Sequence, residues 1–263
     1  MKIAILITSY NRVTTTLRSL SALMQAADGL DFDVFLVDDA SPDGTGKIVK
    51  HTYSKVKVIS GSGNLYWAKG MRLAWETAIS CNDYDFYLWL NDDVVLKSSA
   101  IRDLIADYEV GHGVIVGACS DDESEICCSY GITDCHNSLM PPTGTPQRSN
   151  GWLTGNCVLV PKDVYISIGM ISAEYTHARA DYDYAERLKV AGIPFFCSSN
   201  YVGVCRNNFA EKMKGQVLWM RIKMLYEPGY FNLHDLWLIR RRYHGVWRAI
   251  CSCAHLILLV IRG

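Results

Sequence analysis

The first 120 residues alternate short apolar runs with amphipathic stretches, and this alternation restricts the fold more than any other feature of the sequence. Short runs rich in β-branched or aromatic side chains are typical of buried strands, and they occupy residues 2–7, 33–37, 56–60, 86–90 and 114–118. Three of the intervening stretches place apolar side chains on one helical face: Leu17, Leu20, Leu23 and Met24; Trp67, Met71, Ala74 and Ala78; and Ile101, Leu104, Ile105 and Tyr108. Strands that alternate with helices favour right-handed crossovers. The chain is therefore predicted to be an α/β protein with a mainly parallel central sheet and flanking helices.

The second part of the chain is less regular. Residues 120–150 are rich in acids, Cys, Pro and Gly, which indicates a long surface excursion that could include short antiparallel strands. Strand patterns return at residues 157–160 and 195–197, and helix patterns at residues 163–168 and 181–190. After residue 204 the chain becomes helical, aromatic and basic in character. We therefore expect a body of residues 1–205 followed by a helical C-terminal extension of residues 206–263.

Charge and cysteine content exclude some classes of protein. The 26 basic and 27 acidic residues give a formal charge of -1, so no global field attracts nucleic acid, and no nucleic-acid partner is expected. Ten of the basic residues but only three of the acidic ones lie in the extension. The ten cysteines form no CxxC pair, and the five apolar residues after Lys2 are too few for a signal peptide. These features favour reduced thiols and a cytoplasmic protein.

Four polar clusters follow the first four predicted strands, at residues 8–12, 38–44, 61–64 and 91–93. Because the carboxyl ends of parallel strands meet at one edge of a sheet, these clusters should lie together. Each has an ordinary alternative: residues 38–44 could form an Asx turn, and residues 91–93 a helix-capping loop. Two double carboxylates at one edge would repel each other unless a cation or a polar ligand compensated them. The sequence lacks a P-loop motif. The glycines at residues 61 and 63 lack the third glycine of a dinucleotide-binding motif and follow the third predicted strand, not the first, so dinucleotide binding is not favoured. A divalent cation that shares phosphate ligands is the favoured interpretation.

The same residues resemble a known family. The segments TSYNR at residues 8–12, VDDASPDGT at 37–45 and LNDDV at 90–94 resemble the nucleotide-sugar half of family 2 inverting glycosyltransferases, which have the GT-A fold. GNLYW at residues 63–67, with Gly70 and Met71, is similar to a subset that builds bacterial surface polysaccharides. GWLTGN at residues 151–156 and DYDY at 181–184 resemble the acceptor half. The resemblance covers roughly residues 3–205 and implies a nucleotide-sugar-binding half at 1–119 and an acceptor half at 120–205.

The resemblance implies roles for the donor-side residues. Thr8, Tyr10 and Asp39 would hold the nucleoside, and Asp92 would face the ribose or a water on the metal. Asp93 would be the main ligand of a divalent cation, Mn²⁺ or Mg²⁺, which stabilises the departing diphosphate. Asn91 replaces the first acid of the family's DxD motif. The remaining residues expected to bind the nucleotide sugar are Asn11, Arg12, Asn64 and Trp67.

The acceptor-side roles also come from the resemblance. Asp181 would be the catalytic base, although the Glu that usually precedes it in the family is replaced by Ala180. Trp152, Gly155 and Asp183 would lie on the acceptor side. The alternative for Asp181 and Asp183 is that both merely favour the first turn of a helix. His177 is interpreted as an ordinary loop histidine, and Cys205 as a poor ligand for a hard cation.

The extension is basic and partly apolar. The apolar run at residues 249–261 is too short to cross a bilayer, but with Trp237, Trp247 and the arginines 240–242 it suits a helix lying on an anionic membrane. Packing on the body and an oligomer contact are the alternatives. The resulting expectation is a peripheral enzyme on the inner face of the membrane that transfers a sugar from a nucleoside diphosphate to a hydroxyl of a lipid-linked surface glycan. A sugar-1-phosphate nucleotidyltransferase, a phosphoacceptor signalling domain and a non-catalytic sugar-nucleotide binder are the rival functions.

Overall fold

A computed structural model of the chain describes residues 1–126, 128–177, 179–206, 216–228, 230 and 232–262. It contains one central sheet with helices on both faces. The strands are β1 (Lys2–Ser9), β2 (Asp31–Asp38), β3 (Val56–Ser60), β4 (Phe86–Leu90), β5 (Val95–Leu96), β6 (Val114–Ser120), β7 (Cys128–Tyr130), β8 (Gln147–Ser149), β9 (Cys157–Pro161) and β10 (Phe195–Val204). The helices are α1 (Val13–Ala26), α2 (Thr45–Thr52), α3 (Tyr66–Cys81), α4 (Ala100–Gly111), α5 (Lys162–Ile168), α6 (Ala180–Val190), α7 (Leu218–Met224), α8 (Leu233–His244) and α9 (Val246–Arg262).

The strand order across the sheet is β3-β2-β1-β4-β9-β6-β10-β5. The pairs β3/β2, β2/β1, β1/β4 and β6/β10 are parallel, whereas β9 runs antiparallel to both β4 and β6. Six of the main strands therefore share one direction, as predicted, and β9 is reversed. The reason lies in the connection: β9 follows the long excursion after β6 and not a helical crossover, which only a parallel neighbour requires. Within that excursion, β7 and β8 are the short antiparallel strands that the sequence allowed.

The core lies in two layers, one on each face of the sheet. Side chains of successive strand residues point to opposite faces, so Ile3, Ile5 and Ile7 pack with α1 and α4, while Ala4 and Leu6 pack with α3 and α6. All five side chains are fully buried. Burial of one large aliphatic side chain contributes about 1.5–3 kcal/mol to stability. These layers hold the carboxyl ends of β1, β2 and β4 in register, so that Ser9 lies beside Asp38.

The C-terminal extension is helical, as predicted, and α8 packs on the body of the protein. Ile239 is 4% exposed and belongs to the core on the α3 and α6 face, and Leu238 and Tyr243 pack against the same core. A smaller cluster of Leu225, Leu236, Leu256 and Val260 joins α7, α8 and α9. Within the described residues, no helix is both long and apolar enough to cross a bilayer. The boundary between residues 205 and 206 stays a prediction.

Candidate functional site

A cleft of about 830 Å³ opens at the carboxyl edge of the sheet. The described residues that line it are Thr8, Ser9, Tyr10, Arg12, Asp39, Tyr66, Trp67, Asn91, Asp92, Asp93, Tyr130, Thr154, Gly155, Asn156, His177, Arg179, Asp181, Tyr182 and Tyr230. The prediction that four polar clusters share this edge is therefore supported by residues from three of them, joined by the start of α6. Nine predicted site residues line the cleft: Thr8, Tyr10, Arg12, Asp39, Trp67, Asp92, Asp93, Gly155 and Asp181.

Asp39 organises the loop between β3 and α3. Its carboxylate accepts hydrogen bonds from three backbone N–H groups, those of Gly63 at 2.7 Å, Leu65 at 2.8 Å and Tyr66 at 3.1 Å. A Cβ added at Gly61 would overlap this carboxylate, so the loop needs glycine where it passes Asp39. Because Asp39 is only 3% exposed and most of its acceptor sites are occupied, it shapes the cleft wall as well as facing the cleft.

Arg12 bridges the two carboxylates at the end of β4. Its Nη1 donates to Asp92 Oδ1 and its Nη2 donates to Asp93 Oδ2, both at 2.9 Å. The hydroxyl of Thr16 donates to the second oxygen of Asp92, and the thiol of Cys205 lies 3.5 Å from the second oxygen of Asp93. Burial raises the pKa of Asp92 to about 6, against the opposing effect of Arg12. Arg12 thus supplies the compensating charge that two adjacent carboxylates need.

The same carboxylates are candidate ligands for a divalent cation. Among the described residues, no group of three or more His, Cys, Asp or Glu side chains is arranged to hold a metal ion. Mg²⁺ and related hard cations often take only one or two protein carboxylates and complete their shell with phosphates and water. Asp93 is 29% exposed and Asp92 lies beside it. Burial raises the pKa of the Cys205 thiol, which keeps this soft group protonated. The donor set fits a cation shared with a diphosphate, once Arg12 releases the carboxylates.

Asn91 has a structural reason for replacing an acid. Its side-chain oxygen accepts a hydrogen bond from the indole N–H of Trp67 at 2.7 Å. The backbone N–H of Trp67 donates to His177 Nδ1 at 3.3 Å, and a Cβ at Gly155 would overlap the Trp67 ring. A neutral amide oxygen satisfies the indole without adding a third charge beside Asp92. Trp67 therefore lines the cleft between Asn91 and Gly155.

Asp181 lies in the first turn of α6, where helical backbone N–H groups have no intrahelical partner. Its Oδ2 accepts a hydrogen bond from the backbone N–H of Gly155 at 3.1 Å, and its Oδ1 one from Tyr182 at 2.9 Å. Burial nevertheless raises the pKa of Asp181 to about 6. A carboxylate that is positioned by the backbone and faces a cleft with a pKa near neutrality can accept a proton from a bound hydroxyl.

Four predicted site residues do not line the cleft. Asn11 and Asn64 are exposed on the loops after β1 and β3. Trp152 lies behind the wall: its ring stacks on Tyr182 with centroids 4.6 Å apart, and its indole N–H donates to Glu186 at 3.0 Å. Trp152 therefore contacts the lining residue Tyr182 without lining the cleft itself, and Asn11 directly precedes the lining residue Arg12.

Asp183 has a different environment from the one expected. It is fully buried and bonded to Arg187 at 3.0 Å, Arg242 at 3.0 Å, Tyr243 at 2.9 Å and Tyr175 at 3.2 Å. Two of these partners belong to α8. Asp183 therefore joins α6 to the C-terminal extension and is not available to an acceptor in the cleft.

Several lining residues were not predicted. His177, interpreted as an ordinary loop residue, supports Trp67, and Tyr230 brings the C-terminal extension to the cleft. Arg179 lines the cleft just before α6 with a left-handed backbone, φ 66°. The sequence motif at residues 151–156 already contained Thr154 and Asn156, but no local pattern signals Arg179 or Tyr230, which reach the cleft only through tertiary packing.

Solved structures with the same fold bind nucleotide sugars. A mannosyltransferase, PcManGT from Pyrobaculum calidifontis in complex with GDP-Man and Mn²⁺, aligns with a TM-score of 0.60 and 12% identity over 99% of this chain and 72% of that one. S. aureus TarS 1–349 aligns with a TM-score of 0.57 and 16% identity over 93% and 73% of the two chains. The complex of TarS 1–349 with UDP-GlcNAc gives 0.58 and 13% over 98% and 82%. No curated protein matches the chain.

A family model matches the first part of the chain. The model described as "Glycosyl transferase family 2" matches residues 4–126, which span β1 to β6 and carry Asp39, Asp92 and Asp93. The fold continues beyond this region through β9, α6 and β10, as it does in the solved structures. The sequence match over residues 4–126 and the fold shared with these solved structures are consistent with a glycosyl transferase of family 2 with the GT-A fold.

Proposed function

We propose that this glycosyltransferase inverts the anomeric centre of a nucleoside-diphosphate sugar and transfers that sugar to an acceptor hydroxyl, with Asp181 as the base. The observation that carries the proposal is the shared cleft: Asp181 faces the same space as Asp39, Asp92 and Asp93. In the reaction, Asp181 takes the proton of the acceptor hydroxyl. The oxygen then bonds to the anomeric carbon while the bond from that carbon to the diphosphate breaks. The products are the glycoside and the free nucleoside diphosphate.

The donor is assigned to the half of the cleft formed by β1, β2 and β4. Thr8, Tyr10 and Asp39 would hold the nucleoside, and Trp67 lines the same cleft. Asn11 and Asn64 lie on the loops that follow β1 and β3. Arg12 lies where it could exchange its carboxylate partners for phosphate oxygens. Complexes of structurally similar proteins with GDP-Man and UDP-GlcNAc support a nucleotide-sugar donor.

A divalent cation, Mn²⁺ or Mg²⁺, would be held by Asp93, with Asp92 beside it. When bound, the cation would supply positive charge to the diphosphate leaving group. The Mn²⁺ in the PcManGT complex supports this assignment. The chain's own contribution is to keep the two carboxylates adjacent and to hold Arg12 within reach of the same phosphates.

The acceptor is proposed to be a lipid-linked glycan of a cell-surface polysaccharide, with the protein peripheral on the inner face of the membrane. Support comes from the extension, which exposes large apolar side chains on α7 and α9: Leu218, Trp219, Met220, Ile222, Val246, Trp247, Ile250, Ile257, Leu258, Leu259 and Ile261. Basic residues accompany them, namely Arg221, Lys223, Arg241, Arg248 and Arg262. An apolar surface with basic residues suits an anionic bilayer.

The experiment that tests the proposal has two steps. A thermal-shift panel of UDP, GDP and TDP with and without Mn²⁺ should identify the donor base, since a ligand of the native state raises the Tm. The matching nucleotide sugar is then incubated with acceptor extracts, and the anomeric proton of the product is assigned by NMR. Retention of the donor configuration would contradict inversion. Nucleotide binding without transfer or donor hydrolysis would instead indicate a non-catalytic sugar-nucleotide binder.

A further inference from the structure

Arg179 lies two residues before the proposed base, and among the described residues its buried Nε has no hydrogen-bond partner. Its side chain lines the cleft together with Asp181 and Tyr182. Its Nε is buried and has no hydrogen-bond partner, and among the described residues its guanidinium forms no hydrogen bond or ion pair. An unsatisfied buried polar group costs free energy, and a charged one costs more, so such a group calls for a functional explanation.

Three other arginines form ion pairs with carboxylates. Arg12 bonds to Asp92 and Asp93, while Arg187 and Arg242 both bond to Asp183. Arg187 also donates to two backbone carbonyl groups. A partly buried arginine can therefore be fully paired in this fold, and Arg179 differs from these three because its buried Nε has no partner among the described residues.

A second arginine lies behind the first. Arg240, on α8, lies over the Trp152 ring at 5.4 Å, and within the described parts of the chain its buried Nε has no hydrogen-bond partner either. Burial and the nearby positive charge of Arg240 both lower the pKa of Arg179. Together the two side chains add positive potential beside Tyr182, which lines the cleft.

The neighbouring carboxylates do not remove this need. Asp181 and Asp235 both attract Arg179, but neither forms an ion pair with it among the described contacts. The oxygens of Asp181 accept from the backbone N–H groups of Gly155 and Tyr182. Negative charge is therefore present near Arg179. Among the described residues, however, no acceptor is positioned to take a hydrogen bond from its Nε.

We propose that Arg179, supported by Arg240, binds a phosphate group of the acceptor and so places the acceptor hydroxyl at Asp181. This inference rests on the proposed function and adds the chemical class of the acceptor. A guanidinium with free donors suits the oxygens of a phosphate. The donor diphosphate is assigned to Arg12 and Asp93, so the two arginines of the cleft bind different phosphates. The acceptor phosphate could belong to a lipid carrier or to a phosphodiester of a soluble polymer.

The test measures phosphate binding while the donor side is occupied. Wild-type protein is saturated with the nucleoside diphosphate and Mn²⁺ that give the largest thermal shift, and is then titrated calorimetrically with geranyl phosphate and, separately, with glycerol 1-phosphate. Arg179→Gln should weaken binding of the favoured probe about tenfold or more, because a charge-assisted hydrogen bond is lost. Arg240→Gln should weaken it less, and Arg179→Lys should restore part of the affinity. Arg18→Gln removes an exposed charge on α1 outside the cleft and should leave the affinity unchanged.

The outcomes separate this inference from the proposed function. Tighter binding of geranyl phosphate supports a lipid-linked phosphate, and tighter binding of glycerol 1-phosphate supports a soluble phosphodiester. Absence of binding by the folded wild-type protein, or equal affinities in wild type and Arg179→Gln, would overturn the inference. Asp181→Asn should abolish transfer and retain phosphate binding. Retained binding in a protein that never transfers sugar would leave the phosphate site standing and remove the proposed function.

Discussion

Asp181 and Asp183 lie two residues apart on α6 and have different environments, because a step of two residues is about half a helical turn and directs their side chains to nearly opposite sides. Asp181 faces the cleft and, among the described residues, accepts hydrogen bonds from backbone groups alone, whereas Asp183 is bonded to Arg187, Arg242 and two tyrosines. The sequence DYDY could not distinguish the two, since the partners of Asp183 on α8 are about 60 residues away in the chain. Three-dimensional packing decides which carboxylate remains available for chemistry.

The base role of Asp181 predicts a specific loss of activity. Asp181→Asn preserves the shape of the side chain and removes its ability to accept a proton, so the transfer rate should fall by about 10²–10⁴-fold. Stability should change little or rise, because the substitution removes a buried charge with no ion-pair partner. Transfer assays and urea denaturation of the same preparations check both effects. Full turnover by the variant would remove Asp181 from this role.

The raised pKa of Asp181 also predicts a pH profile. The base must be deprotonated, and its pKa is about 6, so kcat/KM should fall about tenfold per pH unit below that value and level off above it. The profile is measured in the wild-type protein with saturating metal. Asp181→Glu, which retains a carboxylate, should keep a limb of the same sign. An acid limb that persists unchanged in Asp181→Asn would assign it to another group.

Arg12 predicts how the free protein responds to a cation. Because Arg12 already compensates Asp92 and Asp93, Mn²⁺ should bind weakly in the absence of nucleotide. Arg12→Ala removes the competing charge, and we expect about tenfold tighter Mn²⁺ binding without nucleotide, equivalent to one lost interaction of about 1.4 kcal/mol. Free Mn²⁺ is counted by electron paramagnetic resonance. Arg18→Ala is the matched control, because it removes an exposed positive charge on α1 that does not line the cleft. Equal Mn²⁺ affinities in all three proteins would contradict the prediction.

At the scale of elements, the contacts of Asp183 make α8 part of the catalytic body. Asp183→Asn leaves Arg187 and Arg242 without their shared buried carboxylate, and breaking such a pair from one side costs about 3 kcal/mol. Urea denaturation should show this loss of stability. Glu123→Ala, at an exposed position, should show almost none. A loss below about 0.5 kcal/mol for Asp183→Asn would mean that α8 is held by its apolar contacts alone.

The elements themselves differ in how far the sequence determines them. Strands such as β1 and β4 were predictable because their β-branched and aromatic runs are buried on both faces, and α3 and α4 because their apolar residues repeat at helical spacing. Helix α2 was not predicted, since only Val49 among its large apolar residues is buried. The reversed direction of β9 depends on where the preceding excursion ends, which no local pattern records.

At the scale of the whole molecule, the cleft and the extension form one unit. Tyr230, from the extension, lines the cleft, and Arg240, from α8, lies behind its wall. The polar clusters of the donor side could be predicted because the ends of parallel strands converge at one edge. The contribution of the extension could not, because its aromatic and basic residues have no periodic relation to the sheet. The predicted boundary at residue 205 marks a change in sequence composition, but residues from both sides of it contribute to the cleft.

The apolar face of α7 and α9 provides the last prediction, which concerns membrane binding. Trp247 is 76% exposed and Leu258 is 50% exposed, on a helix without an acidic residue. Trp247→Glu and Leu258→Glu each replace apolar surface with a charge that anionic lipids repel, so each should reduce binding to vesicles severalfold. Binding is measured by cosedimentation of the full chain with phosphatidylglycerol–phosphatidylcholine vesicles.

Two comparisons make this measurement decisive. Val110→Glu places the same charge at an exposed apolar position on α4, which is 71% exposed and outside the extension, and it should bind vesicles as the wild type does. Raising the salt concentration should weaken the binding of all proteins, because the basic residues of the extension contribute electrostatically. Equal sedimentation of Trp247→Glu and Val110→Glu would contradict membrane binding through this face. A wild type that ignores vesicles and forms a dimer that Trp247→Glu abolishes would assign the exposed face to a second copy of the chain.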